Sequence, residues 1–259
     1  MDINLLLDVG NTQTVVGVFR DDEKIESWRF SSKLFSTEDE IATLIRNFLK
    51  FKDIEFKSIT RMIVSSVVPE YGFILKRFGL KYFNQEPLFV SSKLNLPLTL
   101  LYTPEESVGA DRISASVAAY ERYRSDLIII DFGTATTFDV VTKNGEYKGG
   151  VIALGIEGQI NALHRNASKL PKVVLEVPEK YIGNTTDLSI QSGVILGNIC
   201  MVKGLLAGIK AELNSEHVTV VATGGLAQLI QEYIPEIDAI DSDLVLHGMM
   251  SILKLNTNV

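Results

Sequence analysis

Two segments of the chain carry residues suited to handling phosphate. One runs Leu5-Leu6-Leu7-Asp8-Val9-Gly10-Asn11-Thr12-Gln13-Thr14, the other Ile128-Ile129-Ile130-Asp131-Phe132-Gly133-Thr134-Ala135-Thr136-Thr137. In both, the Asp, the Gly and a Thr six residues after the Asp coincide. The apolar run reads as a buried strand. The Gly lets the backbone turn tightly and come close to a ligand. The N–H and O–H groups that follow can hold phosphate oxygens, and the Asp can hold a cation. Asp, Gly and Asn also favour ordinary turns, so one copy alone reads as well as a plain strand-to-strand turn. The second copy shifts the balance. Two such turns facing each other across a cleft would grip a nucleotide between two domains.

Between the copies stands Tyr102-Thr103-Pro104-Glu105-Glu106-Ser107-Val108-Gly109-Ala110-Asp111-Arg112. Gly109 allows close approach, and Asp111 and Arg112 fall in the first turn of a helix, where free N–H groups favour an anion. The simpler alternative is that Asp111 complements the helix dipole and Arg112 pairs on the surface. Glycine clusters at Gly149-Gly150 to Gly155 and at Thr223-Gly224-Gly225 suit a nucleotide contact or a tight connection equally. Gly193, Gly197, Gly204 and Gly208 lie in an apolar helix, each costing roughly 1 kcal/mol relative to Ala. They suit a subunit interface or close packing within one chain. Cys200 in the same helix reads as core. His164, His217 and His247 lack metal-ligand spacing, and no Walker A sequence is present.

Bulk properties narrow the class. The chain has 259 residues, 46% of them hydrophobic, and a net charge of −7 with no Lys/Arg block. Nucleic acid is therefore not expected as the main partner. One cysteine excludes an intrachain disulfide and suits a reducing cytoplasm. No signal peptide is expected. The uncharged stretch Leu188 to Val202, roughly 15 residues, falls short of the ~18 of a membrane span and is expected to be a buried helix.

The elements that must position these residues follow from patterning. Each Asp-x-Gly strand continues into a second and a third strand, giving an antiparallel meander. The first turns at Asp21-Asp22-Glu23, the second at Asn144-Gly145, a pair suited to a hairpin turn with φ > 0 at both positions. Thr37-Glu38-Asp39-Glu40 has capping-box form ahead of the stripe Ile41, Leu44, Ile45, Phe48 and Leu49. Pro69 opens a helix after the strand from Arg61. Helices are expected over 110–123, 156–167 and 187–213, the last broken at Gly204, and over 244–255. Each half is thus a meander followed by alternating helices and strands, an α/β layered unit used twice. The boundary is set near Ser125, giving domains 1–124 and 125–259, with the last helix free to pack back on the first.

These residues in this order resemble the type III pantothenate kinases of the acetate and sugar kinase/actin-like superfamily. The likeness spans the chain: Asp8 to Thr12, Ser65-Ser66-Val67-Val68-Pro69, Gly109 to Arg112, Asp131 to Thr137, Gly149 to Ile152, Leu170-Pro171, Gly183-Asn184-Thr185-Thr186, Ser192-Gly193 and Thr223 to Gly225. It implies an α/β fold of two ribonuclease-H-like domains, each a mixed sheet flanked by helices, with a cleft between them. It implies ATP-dependent phosphorylation of pantothenate to 4′-phosphopantothenate, the entry to coenzyme A, by a cytoplasmic homodimer. ATP, Mg²⁺ and a monovalent cation, K⁺ or NH₄⁺, are the implied ligands; nucleic acid and membrane are not. Carried over, Asp8, Val9, Gly10, Asn11, Thr12, Gln13, Thr14 and Val15 bind ATP with Thr134, and Asp8 holds Mg²⁺ through water. Asp131 takes the monovalent cation. Tyr102, Gly109, Ala110, Asp111, Arg112 and Thr186 bind pantothenate, with Asp111 the catalytic base. Leu154 stands where many relatives have Pro and Asn166 where many have Thr, which touches pocket shape only. The rival expectations are a sugar or carboxylate kinase of the same superfamily and a non-catalytic nucleotide-binding accessory protein. Asp111, Arg112 and Thr186 favour the pantothenate enzyme.

Overall fold

The computed structural model describes residues 2–34 and 36–257. The chain forms two units, Met1–Arg122 with Asp243–Val259, and Tyr123–Ser242.

In the first unit the apolar run forms β1 (Ile3–Val9), followed by β2 (Gln13–Arg20) and β3 (Glu23–Ser31), an antiparallel meander. Then come α1 (Glu38–Lys50), β4 (Ile59–Ser66), α2 (Pro69–Phe83), the two-residue strands β5 (Leu88–Phe89) and β6 (Thr99–Leu100), and α3 (Ala110–Tyr123). The sheet order is β3-β2-β1-β4-β5, with β4 parallel to β1 and β5 parallel to β4. β1 is central and has apolar side chains on both faces, which is why its sequence is a continuous apolar run rather than an alternation. Leu5, Leu7 and Val9 pack in one core with Ile41, Ile45 and Leu49 of α1 and with Leu75 and Phe78 of α2. The capping box closes as expected: Thr37 Oγ1 accepts from Glu40 N at 3.3 Å and the Glu40 carboxylate accepts from Thr37 N at 2.9 Å. This satisfies two N–H groups that the helix start would leave free.

The second unit repeats the plan with β7 (Asp126–Phe132), β8 (Ala135–Val141), β9 (Glu146–Leu154), α4 (Ile156–Asn166), α5 (Thr186–Gln191), α6 (Gly197–Leu213), β10 (Val218–Thr223), α7 (Ala227–Gln231) and β11 (Ala239–Ile240). Its strands run β11-β10-β7-β8-β9, with β10 parallel to the apolar β7. The β8–β9 hairpin differs from expectation. Of the turn pair Asn144-Gly145 only Gly145 has positive φ, at 79°, and its N–H donates to Thr142 O at 2.9 Å. The chain therefore turns in right-handed backbone and needs the left-handed conformation at Gly145 alone.

The long helix also departs from expectation. It is not broken at Gly204, which sits inside an unbroken α6. The irregularity lies earlier, in a π-helical stretch at Ser192–Leu196 between α5 and α6. Val202 and Leu206 hold the helix to the core on either side of Gly204. That packing outweighs the roughly 1 kcal/mol a helical glycine costs.

The continuous helical run Thr186–Leu213 is 28 residues, long and apolar enough to cross a membrane by length and composition, and 39% of its most apolar window is buried. It is thus only partly the buried helix expected from the sequence. Its inner side (Val194, Ile195, Ile199, Val202, Leu206) lies in the core of the unit. Its outer side exposes Gly193, Gly197, Gly204 and Gly208. Cys200 is exposed there too, correcting its expected place in the core.

The chain ends in α8 (Leu244–Thr257), which lies on β1 and β4 of the first unit. It crosses α3 so closely that a Cβ at Gly248 would strike the Ser114 carbonyl.

Candidate active site

In the first unit the candidate residues gather at the C-terminal ends of the parallel strands β1 and β4, where open α/β sheets bind ligands. Asp8 lies opposite Ser65 in the β1–β4 register, and Ser65 Oγ donates to Asp8 Oδ1 at 2.9 Å. The carboxylate is half-buried at a strand end, and an ionised carboxylate offers about four lone-pair sites, of the kind a cation or its waters take. Beyond it Gly10 N donates to Gln13 O at 3.0 Å and closes the turn. A Cβ on Gly10 would sit 3.0 Å from that carbonyl, so the sequence needs glycine here for space. Asn11, Thr12 and Gln13 project to the exposed side of the turn.

The turn is held from behind by a residue with no obvious sequence signal. Ser32 Oγ donates to Gly10 O at 2.7 Å and meets Thr14 Oγ1 at 2.9 Å, while Ser32 N donates to Thr12 O at 3.1 Å. Tyr71 Oη in turn donates to Ser32 O at 2.6 Å. Thr14 is fully buried and forms part of this wall, and Val15 lies on β2 opposite Asp8. Ser32 follows a strand of mixed character, and only the β2–β3 register brings it here. Ser65, by contrast, had a signal: a serine pair at the end of a strand, ahead of a helix-opening Pro69.

Asp111 enters from α3. The Ile113 N–H donates to Gly109 O at 3.0 Å, and the Asp111 carboxylate accepts from Arg112 N at 2.8 Å. The carboxylate folds back so tightly that a Cβ on Gly109 would lie 2.5 Å from Asp111 Oδ1 and 3.6 Å from Val67 Cγ1. Val67 follows β4 and its N–H donates to Val9 O at 3.2 Å. A chain of contacts thus joins the Asp8 turn, the end of β4 and the Asp111 helix start. Burial pushes the Asp111 carboxyl above the usual carboxylate range, against the lowering effect of the Arg112 N–H and guanidinium. Arg112 itself is buried, and Tyr102 is half-buried ahead of the cis Thr103–Pro104 bond.

In the second unit Asp131 is the penultimate residue of β7, opposite Thr137 on one side and Thr223 on the other. Gly133 N donates to Ala135 O at 3.0 Å, and Gly155 N donates to Thr134 O at 3.1 Å. The glycines that were ambiguous in sequence have a definite use. A side chain at Gly155 would collide with the Gly133 and Thr134 carbonyls, and one at Gly224, whose φ is +91°, would collide with Asp131 Oδ1. Thr134 is exposed. The carboxylate and backbone oxygens around this turn are the hard donors that a monovalent cation prefers. Among the described residues no three His, Cys, Asp or Glu side chains cluster as a metal cage. A Mg²⁺ ion that rides on nucleotide phosphates needs only one or two protein carboxylates, which Asp8 fits.

Thr186 opens α5 behind its N-cap Thr185 and is exposed. It lines a groove of about 1060 Å³ within the second unit. Leu154 and Asn166, the two departures noted in the sequence, line the same groove. Their effect on pocket shape is therefore exerted beside Thr186.

Comparison with known proteins adds to this geometry. The sequence profile of the type III pantothenate kinase family matches residues 4–208. The type III pantothenate kinase of Desulfatibacillum aliphaticivorans is 44% identical over 255 residues, covering 98% of this chain and 99% of its own. That of Halalkalibacterium halodurans is 40% identical over 252 residues, covering 97% and 99%. Among solved structures, a conserved Campylobacter jejuni protein assigned to the Baf family of transcriptional activators superposes with a TM-score of 0.63 at 22% identity, covering 98% of this chain and all of its own. The inorganic polyphosphate/ATP-glucomannokinase of Arthrobacter sp. strain KM does so at 0.51 and 10% identity, covering 98% and 99%. At such identities the structural likeness bears on the fold alone.

Proposed function

We infer, because the chain belongs to the type III pantothenate kinase family, that it transfers the γ-phosphoryl group of ATP to pantothenate, giving 4′-phosphopantothenate and ADP. The observation that carries the mechanism is the Asp111 carboxylate, half-buried at the start of α3 and pressed against Gly109 beside the end of β4.

The primary hydroxyl of pantothenate attacks the γ-phosphorus in line with the departing ADP oxygen. Asp111 accepts the hydroxyl hydrogen bond and takes its proton as the O–P bond forms. The transition state is loose, so orientation and charge neutralisation carry most of the catalysis. A carboxylate raised in pKa by burial is a stronger base in its ionised form. Arg112 supplies hydrogen-bond donors to substrate or to developing charge. The turn from Asp8 to Val15 holds the phosphates, with Asn11 and Thr12 on its exposed side and Thr134 as a further ATP contact. Tyr102, Gly109, Ala110 and Thr186 hold pantothenate. Mg²⁺ at Asp8 and a monovalent cation at Asp131 would neutralise phosphate charge when bound.

We assign the outer glycine face of the helical run Thr186–Leu213 to a second copy of the chain. A Cβ at Gly193, Gly197, Gly204 or Gly208 would meet nothing within 4 Å, so these glycines do not serve close packing within the chain. A light-scattering mass of twice 28.6 kDa is the expected result. A single-cysteine chain working on ATP and pantothenate is assigned to the cytoplasm.

The deciding experiment supplies ATP, Mg²⁺, K⁺ and either pantothenate or a panel of sugars to the wild type and to Asp111→Asn. Wild type should phosphorylate pantothenate alone. The variant should bind ATP normally and lose turnover by about 10²–10⁴-fold. Near-wild-type turnover in Asp111→Asn would remove the assignment. The raised pKa adds a pH signature. Wild-type turnover falls as pH drops through the raised Asp111 value. Folding raises this pKa, so the group's stability contribution is full below its unfolded pKa and lost as pH rises through the folded one. Asp111→Asn should therefore melt higher than wild type at neutral pH, with the gap closing in acid.

A further inference from the structure

We propose that Gln159 and Asn198 form a positioning pair that sets the shape of the groove beside Thr186, and so the affinity for pantothenate. This rests on the reading above that Thr186 contacts that substrate. Gln159 lines the groove from the first turn of α4. Its Nε2 donates to Asn198 Oδ1 at 3.2 Å, and its Oε1 accepts from Asn198 Nδ2 at 3.1 Å. The two amides thus face each other in a closed donor–acceptor pair. Each also reaches a nearby backbone carbonyl: Gln159 Nε2 donates to Leu154 O at the end of β9 at 2.7 Å, and Asn198 Nδ2 donates to Val194 O, one turn back on its own helical run, at 2.5 Å. Leu154 and Val194 both line the groove.

Four short polar contacts therefore tie the end of β9, the start of α4 and the π-helical stretch into one unit. Asn198 is buried, so its amide has no easy recourse to water if the partner is lost. An unsatisfied amide at that depth forces a local rearrangement rather than a quiet loss of one bond. The π-helical stretch makes such a device necessary. It is an irregular turn, of a kind frequent at functional sites, and it sits two turns from Thr186 on the same helical run. The loop ahead of α5 is fastened to that run in the same manner: Gln191 Nε2 donates to Val174 O at 3.1 Å, and Ser192 Oγ donates to Tyr181 O at 2.5 Å. The other long side chains of the groove, such as Leu163 and Ile190, are apolar. Apolar walls fix no distance by themselves, whereas a paired amide does.

The test compares Gln159→Glu, which keeps the shape and removes the two donated bonds, with Gln159→Met, which removes all polar contact, and with Thr186→Ala. The expected result is a pantothenate KM raised about tenfold in both Gln159 variants, the order of one or two lost hydrogen bonds, with ATP KM and kcat unchanged within about twofold. In the double variant Gln159→Glu/Thr186→Ala the effect on pantothenate KM should be smaller than the product of the two singles, because one substitution acts through the other. Unchanged pantothenate KM in either folded Gln159 variant overturns the proposal. So does a rise of both KM values together with a lowered melting temperature, the mark of a merely structural pair. If Thr186→Ala leaves pantothenate KM unchanged, the reading of the groove itself has failed. If Thr186→Ala raises it and Gln159→Glu does not, only the positioning proposal has.

Discussion

The two Asp-x-Gly turns look like copies in sequence, and the sheets around them are built alike, yet they differ by one residue in space. Val9 pairs with Thr14, which leaves Gly10, Asn11, Thr12 and Gln13 as the first turn. Phe132 pairs with Thr136, which leaves only Gly133, Thr134 and Ala135 as the second. The buried wall position is therefore Thr14 in one and Thr136, rather than Thr137, in the other. The first turn is wide and polar and is braced from behind by hydroxyls. The second is tight and is packed by backbone, with Gly155 and Gly224 against it. A wide turn with exposed N–H and side-chain groups suits a chain of phosphates. A carboxylate beside a tight turn whose carbonyls close on Gly155 suits one small cation.

The largest expected effect tests this division directly. Asp8→Asn should lower turnover by about 10²-fold at any K⁺ concentration, as removal of a preorganised charge does. Asp131→Asn should instead shift the K⁺ concentration needed for half-maximal rate by about tenfold, with turnover largely restored at high salt, a change of about 1.4 kcal/mol. Equal responses of the two variants to K⁺ would erase the distinction. Next in size is Gly224→Ala. Strain at positive φ and collision with Asp131 should cost about 2–3 kcal/mol, or roughly 5–10 °C in melting temperature. Gly10→Ala, whose Cβ would meet one carbonyl at 3.0 Å, should cost less than half of that. The smallest effect is Ser32→Ala. Loss of the brace should cost about 1 kcal/mol and raise ATP KM a few-fold without altering the K⁺ response. An altered K⁺ response would mean that the two turns are not separate devices.

Much of this was legible beforehand because it depends on local chemistry. The capping box at Thr37, the helix start at Ala110 and the apolar central strands follow from residue type and spacing over a few positions. What was misjudged depends on distant partners. Gly204 had the composition of a helix break, but core contacts at Val202 and Leu206 held the helix straight through it. The real irregularity at Ser192–Leu196 holds Gly193, a glycine no different in sequence from those further along the helix, and the polar ties of this stretch and its flanks Gln191 and Asn198 run to Val174, Tyr181 and Gln159 elsewhere in the chain. Cys200 sat among apolar neighbours in sequence and turned out on the exposed face, because helical phase and not local composition decides which side meets the core.

The sequence by itself determined the repeated meander, the family and the candidate base at Asp111, because order and spacing of glycines, carboxylates and apolar runs are one-dimensional facts. Tertiary structure alone decided the width of each turn, the part played by Ser32, the raised pKa of Asp111 and the pairing of Gln159 with Asn198. Strand register, burial and hydrogen-bond closure are properties of segments brought together, and no single segment contains them.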